Sequence, residues 1–410
     1  MSELYPPTDL RLLEAAQELP TPAIIYDFGA LDLLLERMLE DVALIPDARL
    51  NLAVKACHTL PVLQRVQSHG LGCDVASLGE LELAQAAGFD EISCTGPAFS
   101  VADFECFRAA GIIPDVDSLS QLETYGKAFP GGEVGLRLRM EFPSALEGHS
   151  TFTRDSRFGI EPDHPRLGSL LEQYGLKVTR FHLHTGQTTP EALVFKARFL
   201  LSQALRHEHA QWLDVGGGFF HLYPQRRAAR QAFATIARMA ERFARRRGRP
   251  VYFRFEPGGG ILTAIGYLVS EIRAVEFHRH WDVRLLTLDA SAWNLAPWHK
   301  PKVAAVAPRT GPDSEVLLAG NTLYEGDFFG RDVSGRQSRF MLGPCQVGDR
   351  LLITSAGAYT LTNSRLFNRI PLPREYVFLD GRLQVLEPTH GRLPSKNGKQ
   401  HQELALPHPH

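Results

Sequence analysis

The chain has 410 residues, is 44% hydrophobic and 22% charged, and carries a formal net charge of −2. That length allows two or three domains with a large core, and that charge balance argues against nucleic acid or an anionic membrane as partner. The five cysteines, Cys57, Cys73, Cys94, Cys106 and Cys345, are odd in number and form no CxxC pair, which predicts reduced thiols in a cytoplasmic protein rather than a disulfide framework. No apolar run is long enough to span a bilayer, and the start, Met1-Ser2-Glu3-Leu4, lacks the pattern of a signal peptide.

Residues 1–28 read as an arm, a short helix around Leu10 to Leu19, and a strand, Ala23 to Tyr26, that can join a later β domain. Apolar spacing at Leu31, Leu34, Leu35 and Met38 predicts a helix. From Arg49 the chain falls into a rhythm of short apolar runs separated by amphipathic segments. The runs are Leu50 to Ala56, Gly72 to Ser77, Glu91 to Gly96, Ile112 to Asp117, Val134 to Met140, Val178 to Thr185, Trp212 to Gly217 and Val251 to Gly258. Strands alternating with helices predict parallel βαβ units. Eight such units suit a closed (β/α)8 TIM barrel, typically about 250 residues, and place it at 29–265; an open doubly wound sheet is the alternative. The runs at Tyr267 to Val275, Val283 to Leu288, Glu315 to Ala319, Arg350 to Ser355 and Tyr376 to Leu379 have no helices between them. They predict an antiparallel β-sandwich or β-barrel domain over 266–388. Residues 389–410 are polar and predict a disordered tail. Basic runs at Arg226-Arg227 and Arg245-Arg246-Arg247 read as solvated helix faces.

In a parallel barrel, catalytic groups gather at the C-terminal ends of the strands. Lys55 ends the first run, Asp74 lies in the second with Glu80 just after it, and His182 and His184 end the sixth. Gly216-Gly217-Gly218 ends the seventh and Glu256-Pro257-Gly258-Gly259-Gly260 the eighth. Each has a bland reading. Lys55 can be a strand-end lysine reaching solvent, the glycines can be turns, Glu256 can pair with Arg254, and Asp74 and Glu80 can favour a helix dipole. Read together they suit pyridoxal phosphate (PLP): a lysine that forms a Schiff base with the aldehyde, glycine N–H groups that cradle the phosphate, and a carboxylate for the pyridine nitrogen. His182 and His184, two apart on a strand, share a face and could ligate a metal. No acidic or cysteine ligands of recognisable spacing complete such a site, so no metal is expected.

The order and spacing of seven motifs resemble the fold-type III PLP-dependent decarboxylases, a family that includes diaminopimelate, ornithine and carboxynorspermidine decarboxylases and shares the alanine racemase-like barrel. The motifs are Ala53-Val54-Lys55-Ala56, Cys73-Asp74-Val75-Ala76-Ser77-Leu78-Gly79-Glu80, Ser156-Arg157-Phe158-Gly159-Ile160, His184-Thr185-Gly186-Gln187, Gly216-Gly217-Gly218, Glu256-Pro257-Gly258 and Gly357-Ala358-Tyr359. The resemblance implies that Lys55 is the Schiff-base lysine, that Glu256 pairs with the pyridine nitrogen and that His184 stacks on the ring. It also implies that Gly216, Gly217, Gly218, Gly258, Gly259 and Tyr359 hold the phosphate and that Asp74 and Glu80 orient the lysine and cofactor. It implies a homodimer with shared active sites, with Asn321 to Asp327 and Tyr359 lying across the interface.

Three positions depart from the family. Leu323 stands where a cysteine usually returns a proton to the substrate carbon, and Gly259 and the segment Trp293-Asn294-Leu295-Ala296-Pro297 lack arginines. The expectation is therefore a decarboxylase of an L-amino acid or amino-acid conjugate. Tyr324, Glu325 or a water replaces the cysteine, Asp327 of the same loop is expected to be catalytic with them, and meso-diaminopimelate is a poor substrate unless Lys300 or Lys302 binds it. A racemase or decarboxylative oxidase on the same scaffold, a regulatory homologue without turnover, and a metal-dependent hydrolase using His182 and His184 are the other readings.

Overall fold

The computed structural model describes residues 4–5, 8–146, 148–152, 155–296, 298, 301–330 and 336–386. The expected tail at 389–410 lies outside these residues. Strand β1 (Ala23–Asp27) is buried at every position, the pattern of a strand covered on both faces. Strands β2 (Arg49–Ala53), β3 (Gly72–Val75), β4 (Ile92–Gly96), β5 (Asp115–Val116), β6 (Glu133–Arg137), β7 (Lys177–His182), β8 (Trp212–Asp214) and β9 (Tyr252–Phe255) follow. They close in chain order into an eight-stranded parallel barrel, with β9 returning to β2 through Arg254 opposite Arg49 and Phe255 opposite Leu50.

Short polar side chains make the strand-to-helix turns. The side-chain oxygens of Ser77, Ser118 and Thr189 accept the N–H groups of Glu80 (3.2 Å), Gln121 (3.2 Å) and Ala192 (3.3 Å). Each satisfies one otherwise orphaned helix N–H, so the chain leaves the strand end and enters the helix within a few residues. The mouth stays open while helices cover the outside. Arg226 departs from its expected solvated face. It is half-buried and pairs with the fully buried Asp41 at 2.9 Å, while Arg230 pairs with the same carboxylate at 2.5 Å, tying the helix Arg226–Arg247 to the helix Phe28–Val42.

The barrel interior is unusually polar. Asn51, Ser93, Thr95 and Asp115 are buried inside it, and Arg180 Nε donates to Asp115 Oδ1 at 2.6 Å. A Cβ on Gly135 would overlap that Asp115 oxygen, which accounts for the glycine there.

The second body is a nine-stranded sheet of β1 with β10 (Gly266–His278), β11 (Val283–Leu288), β12 (Val303–Ala305), β13 (Ser314–Ala319), β14 (Phe340–Leu342), β15 (Arg350–Thr354), β16 (Arg374–Leu379) and β17 (Arg382–Val385). It is mixed rather than purely antiparallel: β1 runs parallel to β16, and β11 parallel to β13. The first pairing arises because β1 comes from the far end of the chain, and the second because residues 289–313 carry the chain back to start a strand in the same direction. One face of β1 packs with the main core through Ile24 and Tyr26. The other packs Ala23 and Ile25 with Leu12, Tyr267, Leu352 and Phe378. No described helix is long and apolar enough to cross a membrane.

Candidate active site

Strand β2 ends at Ala53, and Val54–Ala56 form one 3₁₀ turn. Lys55 is therefore not a buried strand residue. Its side chain is exposed between the buried Val54 and Ala56, and its ammonium acts on Asp74, His184 and Tyr359. The mouth of the barrel thus gathers these four groups. Tyr359 adopts a positive φ of 55° and donates its backbone N–H to the Ala56 carbonyl at 2.7 Å. It belongs to the mouth of its own chain, not across an interface as expected, because the segment after β15 folds back onto the lysine turn. Burial raises the Tyr359 phenol, with Lys55 opposing.

Below the mouth lies a buried acid cluster. The Ser93 hydroxyl is 2.9 Å from Glu256 Oε1 and 3.1 Å from Asp74 Oδ1. A hydroxyl has one proton to give. Donation to Glu256 leaves its lone pair for a protonated Asp74, and burial, then Glu256, push Asp74 up into that form. Burial and Glu256 likewise raise Asp214. Burial opposes the charge on Glu256 too, but His182, Asp214 and Arg254 hold it well below the usual carboxylate range. Glu256 is the member that keeps its charge. His182 Nε2 lies 3.4 Å from Glu256 Oε2, whereas Arg254 makes its ion pair with Glu91 at 2.9 Å.

The expected same-face histidine pair does not form, because β7 stops at His182 and His184 lies in the following loop. Instead His182, Asp214 and Glu256 bring donor atoms within 4.8 Å of one another. His184 is half-buried, and its Nδ1 accepts the Gly217 N–H at 3.4 Å. Burial, then Lys55 and Arg137, keep its imidazole neutral well below the ordinary histidine pKa. Gly216 and Gly218 have φ of 72° and 88°, a region that penalises any Cβ. A Cβ on Gly217 would strike the Glu256 carbonyl, and one on Gly258 would lie 2.8 Å from Ala56 Cβ and 3.1 Å from the Tyr359 hydroxyl. Gly259 packs beside the Tyr359 ring, where a Cβ would lie 3.3 Å from it. The two glycine loops thus bring bare backbone to the lysine turn.

Glu80 fixes the turn after β3. It accepts the Ala76 N–H at 2.7 Å and faces His58 Nε2 at 3.2 Å. Four further residues of the site carried no motif in the reading above. Ser93 sits inside β4, Arg137 ends β6, and His58 follows the lysine turn. Arg137 pairs with Asp117 at 3.0 Å. Asp214 accepts the Gly216 N–H at 2.9 Å, and its place at the end of β8 was a signal the strand-end rule could have caught.

The loop after β13 is separate from this cluster. Buried Asp327 accepts from Ala292 N–H at 2.8 Å, Thr322 Oγ1 at 2.6 Å and Ser291 Oγ at 3.1 Å. Leu323, Tyr324 and Glu325 project outward, with Leu323 89% exposed and Tyr324 stacked on Trp293 at 5.1 Å. Asp327 is thus a scaffold for the loop.

The residues fit pyridoxal phosphate on the structure's own terms. One carboxylate stays charged in a buried cluster where a cationic ring nitrogen would complement it, and small backbone loops approach a reachable lysine. The comparisons agree. Residues 31–263 match the family model described as pyridoxal-dependent decarboxylase, pyridoxal binding domain. Diaminopimelate decarboxylase of Escherichia coli K12 is 27% identical over 361 residues, 82% of this chain and 84% of the relative. That of Deinococcus radiodurans is 28% identical over 387 residues, 92% and 94% of the two. A crystal structure of diaminopimelate decarboxylase superimposes with a TM-score of 0.79 at 24% identity, covering 91% of this chain and 92% of that one. A lysine/ornithine decarboxylase from Vibrio vulnificus complexed with putrescine gives 0.71 at 20% identity, over 91% and 98%. At those identities the structural likeness is one of fold, but the family model spans more than half of the sequence, and the chain belongs to the pyridoxal-dependent decarboxylase family as a PLP-dependent amino acid decarboxylase.

Proposed function

We propose that Lys55 is the residue that holds the cofactor and that the barrel mouth around it is the decarboxylation site. The observation that carries this is the convergence, within one chain, of an exposed lysine, two bare glycine loops and a single charged carboxylate, Glu256. The bound cofactor supplies the electron sink for the bonding pair released as carbon dioxide leaves. The chain's own groups do the rest. Lys55 offers an amine free to bond and to release. Glu256 presents the negative charge that keeps a ring nitrogen protonated, while burial pushes Asp74 and Asp214 toward their neutral forms. His184, neutral, offers a flat ring without a competing charge. Gly216 to Gly218, Gly258 and Gly259, with the Tyr359 hydroxyl, hold the phosphate.

We infer a cytoplasmic homodimer, supported by five free cysteines and by the outward cluster of Leu323, Tyr324, Leu366 and Phe367. In that dimer Tyr324 or Glu325 of one copy serves the barrel mouth of the other and returns the proton in place of a cysteine. The substrate is an L-amino acid or a conjugate of one. Gly259 and Ala296 offer no cation to a distal carboxylate, and Lys302 is exposed, so meso-diaminopimelate is a poor substrate. Lys300 lies outside the described residues.

Borohydride reduction of the PLP-loaded protein, followed by peptide mass spectrometry, should place pyridoxyl on Lys55. A label on another lysine, or no visible band after PLP addition, overturns the site. A carbon dioxide release screen over L-amino acids, polyamine precursors and diaminopimelate then identifies the substrate, and efficient turnover of diaminopimelate refutes the substrate reading.

A further inference from the structure

Lys196 lies on the helix Pro190–Arg206 and is fully buried, at 0% exposure. Burying an ammonium is costly, and an apolar side chain of similar volume commonly serves a fold as well or better. The fold alone therefore gives no reason for a lysine here. Its hydrogen bond among the described residues runs 3.4 Å to Thr188 Oγ1. Thr188, also fully buried, donates its N–H to the Gly218 carbonyl at 2.9 Å. Gly218 in turn packs so tightly on Gly186 that a Cβ would overlap the Gly186 carbonyl. The ammonium is thus linked through one threonine to the last glycine of the loop Gly216–Gly218. On the other side of that loop, Asp214 Oδ1 accepts the Gly216 N–H at 2.9 Å, and the Asp214 carboxyl hydrogen-bonds Glu256.

We propose that Lys196 is a positioning residue of the cofactor site: from beneath the barrel mouth it fixes the Gly216–Gly218 loop through Thr188 and places a cation behind the Asp214–Glu256 pair. This rests on the cofactor reading given above. The charged groups facing it are Asp214 from β8 and Glu256 from β9, and it acts on His184 in the loop after β7. The helix Arg226–Arg247, packed against the same helix, presents no charge that acts on it. Burial brings the lysine down to about 7, so its charge responds to small changes around it.

The test is Lys196→Met, which keeps the length and removes the charge. Three quantities are read on the purified full chain: thermal unfolding of the apoprotein, the dissociation constant for PLP, and the pH midpoint of the bound cofactor's visible band. The apoprotein should unfold at or above the wild-type temperature. The PLP dissociation constant should rise by about tenfold or more, the loss typical when a supporting partner of a bound group is removed. The pH midpoint should move upward, because removing a cation eases protonation nearby. Thr188→Val, which keeps the lysine and deletes its acceptor, should weaken PLP binding and move the midpoint less. Wild-type affinity and an unmoved midpoint in folded Lys196→Met overturn the proposal. Should that variant fail to fold, Thr188→Val decides alone: unchanged affinity overturns, weakened affinity supports. Absence of pyridoxyl on Lys55 in the wild type would instead remove the cofactor reading itself, a result distinct from normal binding by Lys196→Met.

Discussion

The barrel mouth and the loop Asn321–Asp327 handle polar groups in opposite ways. At the mouth, charge is drawn inward. Glu256, Asp74, Asp214 and His182 are buried, and each is defined by its neighbours within the same chain. In the loop, one buried carboxylate, Asp327, satisfies the backbone and hydroxyl groups around it, while Leu323, Tyr324 and Glu325 are turned outward. The mouth brings its lysine, glycine loops and charged carboxylate together within one chain. The loop is a rigid mount whose outward side chains gain a role only against another surface. The difference teaches that one chain gathers its charges at the barrel mouth and turns the side chains of a second, rigid loop outward, where the proposed dimer would put them to use.

The hardest blow to the mouth is Glu256→Gln. Removing a preorganised charge at a reacting centre should lower carbon dioxide release about 10²–10³-fold, and a loss below tenfold would break the claim that this carboxylate alone carries the charge. Hybrid dimers sharpen the comparison next. Mixing Lys55→Ala with the double variant Tyr324→Ala, Glu325→Ala should leave one intact site per hybrid, hence about half the wild-type rate per hybrid dimer. Mixing Lys55→Ala with Tyr359→Ala should restore nothing at all, because both residues serve one mouth of one chain. Recovery in the second mixture would return Tyr359 to the interface.

The buried acids give a smaller effect, on stability. The folded pKa of Asp74 is raised, so its contribution is fully present below the unfolded value near 4 and is lost as pH rises, by about 1.4 kcal/mol per pH unit until the folded pKa is passed. Asp74→Asn removes that loss. The stability gap between variant and wild-type apoprotein, measured by urea unfolding, should widen in favour of the variant as pH rises above about 4; a gap independent of pH would mean that folding does not raise the Asp74 pKa. The loop supplies the smallest effects. Leu323→Glu should leave apoprotein stability within about 0.5 kcal/mol yet weaken self-association in sedimentation.

What the sequence reveals is set by how local the cause is. Lys55, the glycine clusters and Glu256 are legible because a strand end followed by a turn is a local pattern, and eight repeats of that pattern imply closure of the barrel. The one-turn helix that exposes Lys55 is not legible, because Leu50 to Ala56 is apolar throughout apart from Asn51 and the lysine. Nor is Ser93, which meets Glu256 across 163 positions of chain only because barrel closure brings β4 near β9. Tyr359 misleads for the same reason. Its N–H bond to Ala56 joins the second body to the first, and no spacing in the sequence records that return. The parallel pairing of β1 with β16 is hidden likewise, since it depends on which edge is vacant after both bodies form.

Strand β1 has a consequence for the order of biosynthesis. Its neighbours are β10, with Tyr26 opposite Gly266, and β16, with Ala23 opposite Arg374. Both leave the ribosome long after it, roughly 240 and 350 residues later, so that at about 5–20 residues per second β1 waits on the order of 12–50 seconds for the first. Throughout that interval Ala23-Ile24-Ile25-Tyr26 is an apolar strand with two unpaired edges, the state most open to wrong pairing with another chain. The barrel strands, all encoded before Gly266, are synthesised within the same interval. The nascent chain is therefore most exposed to aggregation at β1, and a chaperone that shelters Ala23–Asp27 until β10 emerges would protect it more than one acting on the completed barrel.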